Sequence, residues 1–308
     1  MSDVMTVCGP IAAGQLGITH SHEHVLWDYW NLINSYDAVF DDESIAIAEL
    51  IRFRDAGGRS FVDCSTVGVR TDPLALRRVS QAAGVNIVLG CGWYRERVYP
   101  PEVFAKTVPD LAQVLIDEIT VGIDGTGVRA GFIGEIGTER GAITPAEERV
   151  FRAAARAHQA TGVAVLTHTT HFGELALEQL ALLEDAGVPA HRVIVSHLGD
   201  RPDPTLLLRI ARTGAYLSVD NVGYSGDGYP DDEVRAENVI RLVREGFLAQ
   251  VVLGSDISTK SALARFGGRG YDWLLRSFIP RLAEGGLTEQ EIHALTVANI
   301  ARALTPGD

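Results

Sequence analysis

Residues 163–200 read VAVLTHTTHFGELALEQLALLEDAGVPAHRVIVSHLGD. Two short apolar runs, Val163–His168 and Arg192–His197, flank a longer amphipathic stretch, Gly173–Ala186. Short apolar runs of this kind suit strands buried on both faces, and the stretch between them is long enough for a crossover helix. The unit is strand–helix–strand, and each strand finishes on a histidine.

The same alternation continues outward in both directions. Ile18–His22, Ser60–Cys64, Asn86–Cys91, Ala130–Glu135, Ala215–Asp220 and Val251–Asp256 predict six further strands. Helical patterns fall at Asp42–Ala56, Val103–Val121, Pro145–Thr161, Asp232–Glu245, Tyr271–Glu284 and Glu289–Leu304. Thr144 and Thr288 each precede a glutamate by three residues, the spacing of a capping box. Eight strands alternating with helices predict an α/β fold of the (β/α)8 TIM-barrel type, as a single domain over residues 1–308. The other arrangement, an open doubly wound sheet, lacks its usual GxGxxG after the first strand.

Polar residues collect at one end of these strands. Strand one runs into His20-Ser21-His22-Glu23-His24, strand four into Glu135, strand five into His168, strand six into His197 and Asp200, and strand eight into Asp256. Barrel enzymes build their sites on the C-terminal rim from several strand ends. Imidazoles and carboxylates converging there are the ligand set of a borderline or hard metal ion. Residues two apart in a strand share a face, so His22 and His24 aim together into the mouth, and His20 joins them if the strand stays regular. His158, His191 and His293 fall on helices or turns and read as structural or surface residues; His171, after strand five, is left open.

Composition narrows the function classes. With 27 Lys and Arg against 40 Asp and Glu, the net charge is −13, which opposes binding to nucleic acid or an anionic membrane surface. The three cysteines form no CxxC pair, so neither a disulfide framework nor a cysteine–zinc site is expected. The first residues show no signal-peptide pattern and no run is long enough to span a bilayer, giving the expectation of a cytoplasmic protein. Basic residues nonetheless follow the strand ends: Arg70, Arg95, Arg97, Arg201, Lys260, Arg265 and Arg269. They suggest a small-molecule substrate with an anionic group. Lys260, four residues past Asp256, Arg265, and Tyr94 in GCGWY are the candidate substrate contacts.

Ten segments carry a resemblance to a known family: TVCGPI (6–11), GITHSHEHV (17–25), FVDCST (61–66), GCGWY (90–94), AGFIGEIGT (130–138), LTHTT (166–170), VSHLGD (195–200), LGSDIS (253–258), GGRGYDWLL (267–275) and ANIARAL (298–304). Together they resemble the phosphotriesterase family of the amidohydrolase superfamily, most closely its phosphotriesterase-homology (phosphotriesterase-related) branch, over nearly the whole chain. The resemblance implies two divalent metal ions, zinc or else manganese, cobalt or iron. It places one on His22, His24 and Asp256 and the other on His168 and His197. Most of the family bridges the metals with a carboxylated lysine on strand four, whereas this branch uses a glutamate. The only lysines here are Lys106 and Lys260, neither on strand four, so the bridge falls to Glu135.

The implied chemistry is hydrolysis by a hydroxide shared between the metals, with Asp256 accepting its proton. Phosphotriesterases and many related lactonases carry a histidine after strand seven, beside an aspartate. This chain reads Val219-Asp220-Asn221, which leaves Asp200 as the catalytic partner of Asp256 and argues against efficient phosphotriester hydrolysis. A lactone or carboxylic ester is the leading substrate. The alternatives are an N-acyl amide, a phosphotriester, or a metal-binding scaffold without activity. Members of the family often form homodimers.

Overall fold

A computed structural model describes residues 3–226 and 228–307, with the backbone alone at His171, so the side chain left open above lies outside the described residues. Eight parallel strands form the barrel wall: Thr19–Glu23, Ser60–Asp63, Asn86–Cys91, Phe132–Gly137, Val165–His168, Val193–Val195, Tyr216–Val219 and Val251–Leu253. Each pairs with its neighbour in chain order. The seam between first and eighth strands is drawn together by the Asp256 N–H, which donates to the His22 carbonyl at 3.2 Å. Gly254 permits that approach, since a Cβ there would stand 2.8 Å from the His22 oxygen.

Two apolar layers follow from strand alternation. Val62, Val88, Phe132, Leu166, Ile194, Tyr216 and Val252, one from each of strands two to eight, fill the barrel interior. Their sequence neighbours, among them Phe61, Ile87, Ile133 and Val251, face outward into the layer shared with the helices. The lower opening is plugged by Val4 and Leu16 from the N-terminal segment and by Ile300, Ala303 and Leu304 from the terminal helix. The upper rim is left for polar side chains.

The predicted strands all form, within a few residues of their expected ends. Both capping boxes are present, with Glu147 and Glu291 each bonding back to their threonine. The expected helix Val103–Val121 is instead two, Pro101–Ala105 and Val108–Thr120. Pro109 has no N–H to continue the first helix, and Thr107 caps the second in a box with Asp110. A hairpin, Asp3–Thr6 with Gly9–Ala12, was not expected, because four-residue strands are too short to show alternation. The three cysteines are free, and no helix among the described residues is long and apolar enough to cross a membrane.

Candidate metal centre

Glu135, near the end of the fourth strand and 1% exposed, stands among four imidazoles. Its carboxylate oxygens lie 3.3 Å from His22 Nε2, 3.7 Å from His24 Nε2, 3.1 Å from His168 Nδ1 and 3.6 Å from His197 Nε2. Asp256 approaches from the eighth strand, 3.1 Å from His24 Nε2 and 3.6 Å from His22 Nε2. Three overlapping sets place their ligand atoms within 4.8 Å of one another: His22, His24 and Glu135; His22, His197 and Asp256; and Glu135, His168 and His197. Glu135 belongs to two of the three. His197 and Asp256 hold positive φ, 59° and 46°, a conformation costly to non-glycine residues and concentrated at functional sites.

The donor set fits a pair of cations. Nε2 of the fully buried His22, the nitrogen turned toward Glu135 and Asp256, has no hydrogen-bond partner. His168 Nδ1 and His197 Nε2 face each other at 2.7 Å. Nitrogen and oxygen donors brought this close, out of water, suit a shared positive charge.

Behind these residues stands a further carboxylate, Asp220, at the end of strand seven. Its oxygens lie 3.3 Å from His22 Nδ1 and 3.1 Å from His197 Nδ1, and it accepts the His197 main-chain N–H at 2.9 Å. It thus orients two imidazoles from the far side. His24 is held likewise by Ser65 Oγ at 2.9 Å on Nδ1, while Tyr29 OH lies 3.0 Å from Nε2. Glu23 fixes the opposite loop: it accepts N–H bonds from Ser255 at 2.9 Å and Ile257 at 3.0 Å, the residues on either side of Asp256.

Sequence reasoning passed over both Asp220 and Glu23. Asp220 had a visible signal, a carboxylate at a strand end like Glu135 and Asp256. Glu23 did not, because its role depends on a break in the first strand. The strand's register shifts between His20 and Glu23. That shift turns His20 away from the mouth, correcting the expectation for a regular strand. It packs on Phe53 and Phe61 and bonds Glu23 at 2.5 Å. His158 bonds the Val163 carbonyl and is structural.

The centre opens into a cleft of about 350 Å³, lined also by Tyr29, Tyr94, Arg95, Arg140, Asn221 and Tyr229. Tyr94 OH is 3.3 Å from His168 Nε2. Arg95 lies over the Tyr94 ring, is only 16% exposed, and has a buried Nε without a partner. Lys260 and Arg265 are not among the lining residues, and the Arg265 main-chain N–H is bound to Glu49. Arg70 is turned away, paired with Glu118 and Asp124. No hydrogen bond joins Asp200 to Asp256 among the described residues. Asp200 accepts bonds from Arg235 Nε at 2.7 Å and Asn221 Nδ2 at 2.6 Å.

Charge coupling is strong. Burial alone would raise Glu135, but His22 and His168, with hydrogen bonds from His168 and His197, hold it well below the usual carboxylate range. Burial pulls His197 down, yet Asp220, Glu135 and Asp256 outweigh it and raise the imidazole to about 10. His168, buried beside charged His197, falls to about 4. The sign for stability follows. His197 favours the metal-free fold fully below the unfolded value of about 6.5 and loses that effect as pH rises through 10. His168 opposes the fold as pH drops from about 6.5 toward 4. Chelated protein should therefore melt highest near pH 6.5. Because ligation needs neutral imidazoles, the extra melting temperature given by metal should widen from pH 6.5 to 9. Thermal melts with and without metal check this, and a gap that narrows with pH contradicts it.

The sequence profile of the phosphotriesterase family matches residues 2–304. The chain belongs to that family. It is 36% identical to the phosphotriesterase homology protein of Escherichia coli, covering 92% of this chain and 96% of that one. It is 31% identical to the N-acetyltaurine hydrolase of Tetraodon nigroviridis, covering 98% and 97%. Among solved structures, the lactonase from Listeria monocytogenes superposes with a TM-score of 0.93 at 29% identity over the whole of both chains. As a member of the phosphotriesterase family, the chain is a metal-dependent hydrolase with a (β/α)8 barrel acting on small molecules.

Proposed function

We propose that this phosphotriesterase-family protein is a two-metal hydrolase that cleaves a carboxylic acyl bond, a lactone, ester or N-acyl amide, in a small substrate bearing an anionic group. One observation carries the reading: a single buried carboxylate, Glu135, lies within 3.7 Å of imidazoles from three different strands. His22, His24 and Asp256 would hold one cation and His168 and His197 the other, with Glu135 between them. A divalent pair there, zinc or another transition ion, supplies Lewis acidity toward water and the scissile carbonyl.

The chain's own groups do the rest. Asp256 is 18% exposed where Glu135 is sealed, so it is the carboxylate placed to take a proton from the attacking water and return it to the departing atom. Tyr94 walls the cleft beside His168. Arg95 and Arg140 line the cleft, each loosely paired, with Glu139 at 3.6 Å and Glu174 at 3.4 Å, and are the cations nearest to hand for the anionic end of a substrate. The similarity to N-acetyltaurine hydrolases and to a lactonase supports an acyl bond over a phosphoester.

Zinc- or manganese-loaded protein assayed on matched lactones, esters, N-acyl amino or sulfonic acids and phosphotriesters tests the proposal. An acyl substrate should reach a kcat/KM of about 10⁴ M⁻¹s⁻¹ or more and be lost on chelation. A phosphotriester turned over faster than every acyl compound would overturn it.

A further inference from the structure

We infer that Asn221 selects amides over esters, by accepting a hydrogen bond from the substrate's amide N–H; this rests on the acyl-hydrolase reading above. Asn221 closes the seventh strand next to Asp220 and lines the cleft together with Glu135, His168, His197 and Asp256. Its carboxamide has a fixed orientation. Nδ2 donates to Asp200 Oδ2 at 2.6 Å, and the other oxygen of Asp200 accepts from Arg235 Nε at 2.7 Å. Arg235 is wholly buried and tied further to Asp232 and the Tyr224 carbonyl.

A carboxylate paired with a buried guanidinium is ionised and can only accept. The nitrogen end of Asn221 must therefore face Asp200, and the oxygen end points elsewhere. Oδ1 takes no hydrogen bond among the described residues, yet it is not among the sealed polar atoms. The cleft thus contains an acceptor that cannot rotate into a donor without breaking the Asp200–Arg235 network.

A secondary amide satisfies this acceptor with its N–H. An ester or lactone sets an oxygen lone pair against it and strips its water, and an N-methyl amide sets a methyl group there. Sites built to hydrogen-bond a substrate N–H reject analogues that lack it far more strongly than apolar pockets reject a missing methylene. In the reaction, water adds across the acyl carbon–nitrogen bond: a C–O bond forms, the C–N bond breaks, and the nitrogen departs with a proton as an amine. Asn221 holds the nitrogen in register and gives up no atom.

The test compares kcat/KM of the metal-loaded protein for an N-acyl amino acid, its N-methyl amide and the corresponding ester, in the wild type, Asn221→Ala and Asn221→Ser. The wild type should prefer the secondary over the N-methyl amide by about 100-fold or more. Asn221→Ala should erase most of that preference and lower the amide-to-ester ratio by a similar factor, with Asn221→Ser in between. A ratio that stays within threefold in both variants overturns the proposal, as does a wild type that accepts esters but no amide. If a variant fails to fold, the wild-type comparison of secondary with N-methyl amide still decides: equal rates overturn the proposal. A wild type that turns over no acyl compound sinks the acyl-hydrolase reading itself, and this inference with it.

Discussion

Glu135→Gln is expected to leave at most one tightly held metal per chain and to lower kcat/KM by about a thousandfold or more. Glutamine keeps the volume and one carbonyl oxygen, so the barrel should still close around it. What it loses is the charge that lies within 3.7 Å of His22, His24, His168 and His197 together. In its place an amide NH2, a donor, faces groups that must present lone pairs to a cation. Polarisation by bound metal is worth several kcal/mol at the transition state, and about 1.4 kcal/mol is a factor of ten in rate. Elemental analysis after dialysis, run beside the assay, reads both effects. Two retained metals at full turnover would remove the bridging role.

The second large effect is expected at a residue that touches no substrate. Asp220→Asn should weaken metal binding and reduce activity by about 100-fold, with part of the activity recovered at high metal concentration. Carboxylates behind ligating imidazoles fix the tautomer and raise ligand basicity, and losing one costs about 10–100-fold in affinity or rate. Here one carboxylate serves two, His22 at 3.3 Å and His197 at 3.1 Å, so the upper end is expected. An asparagine oxygen can accept from only one of them well, while its nitrogen repels the N–H of the other. Competition with a chelator gives the affinity, and titration of activity with metal separates weakened loading from misfolding. Metal retention equal to the wild type would show that Asp220 does not position these rings.

The barrel was legible because its strands are buried on both faces and so appear as unbroken apolar runs. The six ligand candidates were legible for a related reason: in a closed barrel a polar residue ending such a run has only the rim to occupy. Residues that act through others were harder to see. Asp220 lies one position before Asn221, and a carboxylate at a strand end does not reveal in sequence whether it faces a cation or stands behind the imidazoles that do. Glu23 and His20 depend on a register shift that strict alternation does not predict. Arg95 reaches the cleft and Lys260 does not line it, because proximity in sequence to Asp256 says nothing about where a loop of 3₁₀ turns carries the side chain. Arg140, in the loop after strand four, also lines the cleft, brought there by a loop whose path the sequence does not show.

The seam between first and eighth strands has a consequence for when this protein becomes active. His22 and Asp256 meet there, and Glu23 grips the main chain on both sides of Asp256. A chain still emerging from the ribosome, with only its first two hundred residues made, has the imidazoles and Glu135 but neither the last carboxylate nor the wall that seats it. Glu135, His168 and His197 can come together before the ring closes, but the full ligand set, and with it hydrolytic competence, arrives only once synthesis has passed the final strand.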